Sequence, residues 1–422
     1  MQIVFLMRRV ILFAISICAL LVVSVTNADT LDTQLQNTIQ QYLSQYKNIY
    51  HLSAIQLSIL LPDSTTPRDY VVGTQEFGEQ KLATTTMMTQ WGSITKEYTN
   101  MLIFKLANDG KFKVTDNLGK IFPEHFVKNA KDNWPTSWKK VTLIQLMNMT
   151  SGIPAYAPTV TDNSILQIKQ NSMENLVNIA KTETYHCVFS QGCFPVGSAY
   201  FYSNTNYIIL GLIVEKYTGE SFGNVINHTI LEPFKQKNSS AHVYYITQNL
   251  PKEILDNMIH GYFNNKIGIA PHLPKTWVDV TNFNLSYIAS AGALIGDMDT
   301  LVKLTDAFYH NQLIAPASEL EQNAVLPSNG KIVTNVKKQC IKNGGCYAMG
   351  VRILYVHHDG VIFYYQGGLL GYNAIYFWIP SEKVIIAISQ PKMETNIFPL
   401  IHFSLKINTK IRAYLKLQNN KK

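Results

Sequence analysis

The sequence predicts an α+β fold: one antiparallel sheet flanked by an N-terminal and a C-terminal helix, with a mostly helical lobe inserted into it. Three observations carry this. Strand-like runs sit near both chain ends, the long middle stretch is poor in them, and amphipathic helical patterns bracket the whole.

In chain order, Asp32 to Ile49 places Leu35, Ile39, Tyr42, Leu43 and Tyr46 at helical spacing, a first amphipathic helix. Ala54 to Leu61 reads as a strand. Pro62-Asp63-Ser64 turns the chain into a second at Tyr70-Val71-Val72. From Ser93 the pattern is helical, with Tyr98, Met101, Leu102 and Leu106 on one side and Asp109-Gly110 as the stop. About 112 to 285 is mostly non-sheet. Ser290-Ala291-Gly292-Ala293 opens a helix expected to run to Phe308. Ala348 to His357, Val361 to Gln366, Asn373 to Ile379 and Lys383 to Gln390 then form a meander, broken by turns at His358-Asp359-Gly360 and Pro380-Ser381-Glu382. A last helix covers about Asn396 to Leu415. The expected organisation is an α/β lobe from about 29–92 and 286–422, with the helical lobe from about 93–285.

Arg8 and Arg9 precede an apolar run from Val10 to Val25, and Thr26-Asn27-Ala28 ends small before Asp29. That pattern predicts a secretory signal peptide over 1–28, and hence an exported protein, periplasmic or secreted. A retained anchor is the competing reading, because the run approaches spanning length. No later segment is apolar for long enough to cross a bilayer, so residues 29–422 are expected to carry no membrane span. Removing the leader takes two arginines and no acid, lowering the formal charge from +8 to +6. The remaining excess is dispersed rather than clustered, which argues against nucleic acid as a partner.

Outside the leader stand four cysteines, Cys187 and Cys193, then Cys340 and Cys346, each pair enclosing five residues with turn formers among them. In an exported chain these predict two local disulfides bracing loops, worth about 2 kcal/mol each by chain entropy. Neither pair has zinc-finger spacing, and no metal or cofactor is expected.

The chemistry resides in a Ser-x-x-Lys pair, Ser93 and Lys96. A serine hydroxyl needs a base to take its proton, and a lysine one helical turn on can serve. The pattern also occurs at Ser44/Lys47, Ser137/Lys140 and Ser328/Lys331, and Tyr-x-Asn recurs five times, so neither pattern selects a site alone. Context does. Ser93 follows Trp91-Gly92 where strand-like sequence gives way to a strongly apolar helix. Ser44 lies within a helix, Ser137 in a Trp/Pro-rich loop and Ser328 in an Asn-Gly turn. His357-His358-Asp359 reads as a solvated polar turn rather than a metal site. No Gly-x-Ser-x-Gly elbow, His-Glu-x-x-His or phosphate-binding loop is present.

Several segments in order resemble the serine β-lactamase-like family, which includes class C β-lactamases, D-Ala-D-Ala carboxypeptidases and related esterases. Trp91-Gly92-Ser93-Ile94-Thr95-Lys96 is similar to its nucleophile segment. Leu143 to Pro154 is similar to its Leu-Leu-x-His-Thr-Ser-Gly-x-Pro segment, with Met149 at the histidine. Tyr202-Ser203-Asn204 is similar to its second motif, and Ser290 to Asp299 to its Ala-Gly-Gly-Leu stretch.

The resemblance implies that Ser93 attacks an acyl carbon, and that Lys96 and Tyr202 handle its proton, which of them is the base being left open. It implies that Asn204 donates to the substrate amide oxygen and helps fix Lys96, and that the Ser93 and Gly368 N–H groups form an oxyanion hole. The structural reading of the same residues is a core tyrosine at 202, a helix cap at 204 and a sheet-edge turn at 367–368. The third motif departs from the family pattern: Tyr365, Gln366 and Gly367 stand where Lys-Thr-Gly or His-x-Gly is usual, and no Lys or Arg occurs between Arg352 and Lys383. A phenol lacks the counter-charge for a substrate carboxylate. The expected function is a D-Ala-D-Ala carboxypeptidase or related peptidase, whose partner is a small-molecule or peptide acyl substrate such as a peptidoglycan stem peptide. The alternatives are an esterase on the same scaffold, a weak class C-type β-lactamase, or a non-catalytic envelope binding protein.

Overall fold

Helix α1 (Leu31–Tyr50) starts where the Thr30 hydroxyl accepts from Thr33 N. It buries the stripe Leu31, Leu35, Ile39 and Leu43, spaced four residues apart, and stops where His51 adopts a left-handed conformation. The computed structural model describes residues 30–127, 133–156, 170–184, 192–268, 273–310, 323–335, 338–340, 345–392 and 398–420. The predicted leader, Cys187 and the 187–193 pair therefore lie outside the described residues.

After α1 come β1 (Ala54–Leu60), β2 (Arg68–Gly73) and β3 (Thr89–Gln90), then a 3-10 turn over Gly92–Ile94 that runs into α2 (Thr95–Asn108). The middle of the chain supplies α3 (Met173–Thr184) and α4 (Asn204–Thr218), with β4 (Val243–Tyr245), β5 (Tyr262–Asn264), β6 (Trp277–Asp279) and β7 (Leu294–Gly296). Helix α5 (Met298–Tyr309) precedes β8 (Cys346–Ala348), β9 (Val351–Val356), β10 (Gly360–Leu369), β11 (Tyr372–Ile379) and β12 (Val384–Gln390), and α6 (Phe398–Asn419) follows.

The main sheet has the order β2-β1-β12-β11-β10-β9-β8, every pairing antiparallel. Register Leu57↔Ile388 zips the two chain ends together. Every residue of β1, β11 and β12 is buried, because both faces of the sheet are covered. Val384, Ile386 and Ile388 pack with Leu35, Ile39, Leu400 and Ile407 from the terminal helices, while Ile385 and Ala387 join the core that holds α2, α4 and α5. Helices α2 and α4 are buried nearly all round, and form the centre of the helical region. The small sheet β3-β7-β4 fixes the strand that leads into Ser93.

Four readings from sequence need correction. The expected helix from Ser290 to Phe308 is three elements, a single turn Ala289–Gly292, then β7, then α5, whose start is capped by the Asp297 carboxylate accepting from Thr300 N at 2.7 Å. The expected strand Ala348 to His357 is broken at Met349-Gly350, where both residues have positive φ (45° and 81°). The third-motif glycines lie within β10 rather than at its end. His357 and His358 are exposed as expected, but Asp359 is buried against α6, where Asn408 donates to its carboxylate at 3.2 Å.

Cys340 and Cys346 are disulfide-bonded, with Cα atoms 5.2 Å apart, which ties residue 340 to the start of β8. Among the described residues no helix is long and apolar enough to cross a membrane. Ile386→Ala, which empties space between β12 and α1/α6, is expected to cost about 2–5 kcal/mol of stability. Exposed Ser44→Ala is expected to stay within about 0.5 kcal/mol. Urea-denaturation midpoints check both.

Candidate active site

Ser93 stands in the 3-10 turn between β3 and α2, and that turn is held from three sides. Trp91 N donates to Leu294 O at 2.9 Å, and the Trp91 indole to Gly296 O at 3.0 Å, so β7 anchors the residue two before the serine. Thr95 Oγ1 donates to Gly92 O at 2.8 Å and accepts from Leu294 N at 3.1 Å, closing the turn on the other side. First-turn N–H groups of a helix have no intrahelical acceptor, and Ser93 N is one of these.

Lys96 follows one turn later and is wholly buried. Its amine donates to Ser93 Oγ at 2.9 Å and to Ala291 O at 2.7 Å. It also lies 5.1 Å and 5.4 Å from the ring centres of Tyr202 and Tyr207. Tyr202 reaches Ser93 from the residues before α4, its hydroxyl donating to Ser93 Oγ at 2.7 Å. Residues 93, 96 and 202 therefore converge on one oxygen. The other Ser-x-x-Lys serines, Ser44, Ser137 and Ser328, are exposed.

The seam between the Gly92-Ser93 turn and β10 is closed by glycines for a steric reason. A Cβ on Gly367 would lie 1.8 Å from Trp91 O and 2.9 Å from Ser93 N, and one on Gly92 would lie 3.1 Å from Gly368 N. The backbone of Trp91 to Ser93 therefore lies directly against that of Gly367 and Gly368. Gly368 itself faces open space.

The remaining predicted residues divide. Asn204 is the first residue of α4, and its Oδ1 is buried without a hydrogen-bond partner among the described residues. The structure gives the task of fixing Lys96 to the Ala291 carbonyl instead. That carbonyl is locked in turn, since Thr99 Oγ1 donates to Ser290 O at 2.6 Å and Ser290 Oγ to Tyr207 O at 2.9 Å. Gln366 Nε2 donates to Asn373 Oδ1 at 2.9 Å, leaving Gln366 Oε1 buried and unpartnered among the described residues. Tyr365 is buried, its hydroxyl 3.4 Å from that of Tyr202 and 3.2 Å from that of Tyr347. Met149, at the place of the family histidine, is buried and accepts from Ser203 N and Asn206 Nδ2 through its sulfur. Sequence reasoning did not find Ala291, Tyr207 or Tyr347 as part of the site. Ala291 lies inside a segment it had matched to the family, but contributes a backbone atom.

Electrostatics follow from burial. Desolvation pushes the Lys96 amine down, with the Tyr202 charge pushing back. Burial alone would raise Tyr202, but the Lys96 ammonium and the hydrogen bonds from Lys96, Ser93 and Tyr365 win and hold the phenol below its ordinary value. Both groups are held below their ordinary values and both touch Ser93 Oγ, so whichever of them lacks a proton is placed to take that of Ser93. Next to Lys96, Glu97 is buried against Tyr376, which donates to its carboxylate, and burial raises its pKa well above the ordinary value despite that bond.

An antiparallel sheet with a largely helical region packed on it, and Ser93, Lys96 and Tyr202 at their junction, is the arrangement of the serine β-lactamase/transpeptidase fold. The beta-lactamase family model matches residues 49–396, and the chain belongs to that family. Penicillin-binding protein 4* of Bacillus subtilis (strain 168) is 24% identical over 330 residues, covering 76% of this chain and 65% of that protein. Protein flp of Staphylococcus aureus (strain N315) is 29% identical over 176 residues; the match covers 40% of this chain and spans 32% of that relative's length. Two solved structures share the fold. D-amino acid amidase from Ochrobactrum anthropi SV3, complexed with D-phenylalanine, has a TM-score of 0.69 at 16% identity, with 90% of this chain and 99% of that one covered. A D-stereospecific amidohydrolase from Streptomyces sp. has a TM-score of 0.63 at 19% identity, with 84% and 94% covered.

Two outcomes are expected. Gly367→Ala should slow labelling by a neutral fluorophosphonate at least about 100-fold, by forcing β10 away from Ser93 N, whereas Gly368→Ala should change it far less. The second outcome concerns Glu97. Its raised folded-state pKa means that its contribution to stability is complete below the unfolded value and is lost as pH rises toward the folded one. Glu97→Gln should therefore gain stability relative to wild type as pH rises above about 5, as thermal melts at each pH will show.

Proposed function

We propose that this protein is an exported serine hydrolase that cleaves D-aminoacyl amide bonds through an acyl-enzyme on Ser93, in the manner of a D-Ala-D-Ala carboxypeptidase or a related peptidase. One observation carries the reading: Ser93 Oγ sits 2.9 Å from the buried Lys96 amine and 2.7 Å from the Tyr202 hydroxyl. A serine so placed has lost most of its water and has gained two groups able to take its proton. The structural neighbours, one an amidase complexed with D-phenylalanine and one a D-stereospecific amidohydrolase, support the D-configured substrate class. The match to a penicillin-binding protein supports a peptide-like donor.

In the proposed reaction Ser93 Oγ adds to the acyl carbon as its proton passes to the Lys96/Tyr202 pair. The N–H groups of Ser93 and Gly368 take the charge that develops on the carbonyl oxygen, each worth roughly 3–4 kcal/mol when preorganised. The proton then returns to the leaving amine, and water repeats the sequence to release the acid. The buried side-chain oxygens of Asn204 and Gln366 have no hydrogen-bond partner among the described residues and would accept from the substrate amide N–H, while the donor role toward the amide oxygen expected of Asn204 falls to its Nδ2. Export rests on the leader-like pattern of residues 1–28.

A second reading is favoured by Tyr365. Where a cation would meet a substrate carboxylate there is a buried phenol already engaged with Tyr202 and Tyr347. Donors with no free carboxylate, such as amides and esters, lose nothing there, so an amidase or esterase preference is the variant of the proposal to separate first.

Incubation of the purified protein with a fluorescent penicillin should give one adduct by intact mass, absent in Ser93→Ala. No adduct on wild type, or an equal one on the variant, would sink the penicillin-recognising reading. Turnover of short aryl esters without D-Ala release from a D-Ala-D-Ala peptide would select the esterase form.

A further inference from the structure

The sequence offers no Lys or Arg between 352 and 383, and Arg352 is the last cation before the third motif. The structure shows where that cation goes. Arg352 on β9 pairs in register with Tyr347 on β8 and with Tyr364 on β10, so it sits between two tyrosine-bearing strands. Its guanidinium carbon lies 5.6 Å from the centre of the Tyr347 ring. Burial opposes its charge, but the neighbouring Tyr200, Tyr364, Tyr365 and Tyr347 leave its pKa raised, and a guanidinium stays ionised in any case.

From Tyr347 a file of hydroxyls leads to the nucleophile. Tyr347 and Tyr365 are 3.2 Å apart, Tyr365 donates to Tyr202 at 3.4 Å, and Tyr202 reaches Ser93 Oγ at 2.7 Å. Tyr347 and Tyr365 are both essentially inaccessible to solvent. Arg352 itself is half-buried, at the edge of this dry line. A nearby cation polarises such buried hydroxyls toward itself, and each hydroxyl in the line becomes a better donor to the next.

We propose that Arg352 is a positioning residue for the acyl-transfer site, its charge reaching Tyr202 through the hydroxyls of Tyr347 and Tyr365 and taking the place of the cation absent at 365. This rests on the reading of Tyr202 as a proton carrier given above. With the phenol ionised, Tyr365 donates to its oxygen and Tyr347 donates to Tyr365, so negative charge at Tyr202 is drawn toward the guanidinium. When Ser93 attacks, its proton moves to the Tyr202 oxygen and the same file relaxes. Arg352 never touches the substrate.

The other groups facing Tyr202 are Ser93 and Lys96 from the nucleophile turn and α2, Tyr207 from α4, Tyr156 from the loop after Ser151, and Tyr200 from its own segment. Among these only Lys96 carries a positive charge, and it already faces the ring. A second cation, acting from the opposite side through Tyr365, is what distinguishes the proposal from the Lys96 effect.

The test is the pH dependence of kcat/KM for p-nitrophenyl acetate, a neutral substrate that needs no counter-charge. It is read beside an ultraviolet phenolate titration of the purified protein, with Tyr202→Phe as the blank. Arg352→Met and Arg352→Gln should raise the midpoint of the rising limb by about one pH unit, so that turnover below it falls about tenfold. Arg352→Lys should restore most of the shift. Tyr365→Phe should shift the limb the same way, and adding Arg352→Met to it should shift it little further, because the route is already cut. An unmoved midpoint in both neutral Arg352 variants, with melting temperatures near wild type, would overturn the proposal. So would shifts that add in full. If wild type showed no Ser93-dependent turnover, the hydrolase reading would fail by itself, while the phenolate titration would still report whether Arg352 acts on Tyr202.

Discussion

A buried amine governs this molecule. Lys96 has no access to solvent, and its nitrogen sees Ser93 Oγ, the Ala291 carbonyl and the faces of two tyrosine rings. Placing a charge in such surroundings costs several kcal/mol unless partners offset it. The cost has two resolutions, loss of the proton or an anionic partner, and the neighbouring phenol of Tyr202 makes both available. Either resolution leaves a base beside the serine. The chemistry proposed for Ser93 is a consequence of where the lysine is buried.

The rest of the fold serves that placement. Helix α2 is buried nearly all round, so its first turn cannot shift without disturbing α4 behind it and the Ala289–Gly292 turn beside it. The small sheet fixes Trp91 through β7, and β10 then closes onto Ser93 across a seam of glycines that no side chain could enter. The main sheet is made rigid by covering both its faces, which allows β10 to hold the Gly367 and Gly368 amides in place while one edge of the site stays open. The buried Glu97–Tyr376–Tyr309 set next to Lys96 is a second polar island in the same core. Burial raises the Glu97 pKa, which weakens the counter-charge that Glu97 can offer the lysine.

Much of this architecture was legible in the residues. The terminal helices show as stripes such as Leu35, Ile39 and Leu43, and the central strands as unbroken apolar runs such as Val384 to Ile388, because strands covered on both faces have no polar side to alternate with. The Ser290 to Phe308 misreading has a physical origin: Ala291 to Ala293 is compatible with a helix, and Leu294-Ile295 is too short to announce a strand. The capping signal at Asp297 was the available clue. Ser93, Lys96 and Tyr202 were legible through ordered motifs. Ala291 was not, since a carbonyl carries no residue signature, nor were Tyr347 and Arg352, which reach the site only by cross-strand register. The task expected of Asn204 at the amine fell to that carbonyl.

The central claim is that Ser93 is activated by Lys96 and Tyr202 together. It is tested most directly by the second-order rate at which a neutral fluorophosphonate modifies Ser93, followed by peptide mapping in wild type, Lys96→Ala, Tyr202→Phe and the double variant. Each single change is expected to slow modification about 10²–10⁴-fold, and the double change to cost little more than either alone, as groups acting as one unit do. Modification of Ser93 at the wild-type rate in either single variant, or labelling elsewhere in the chain, would contradict it.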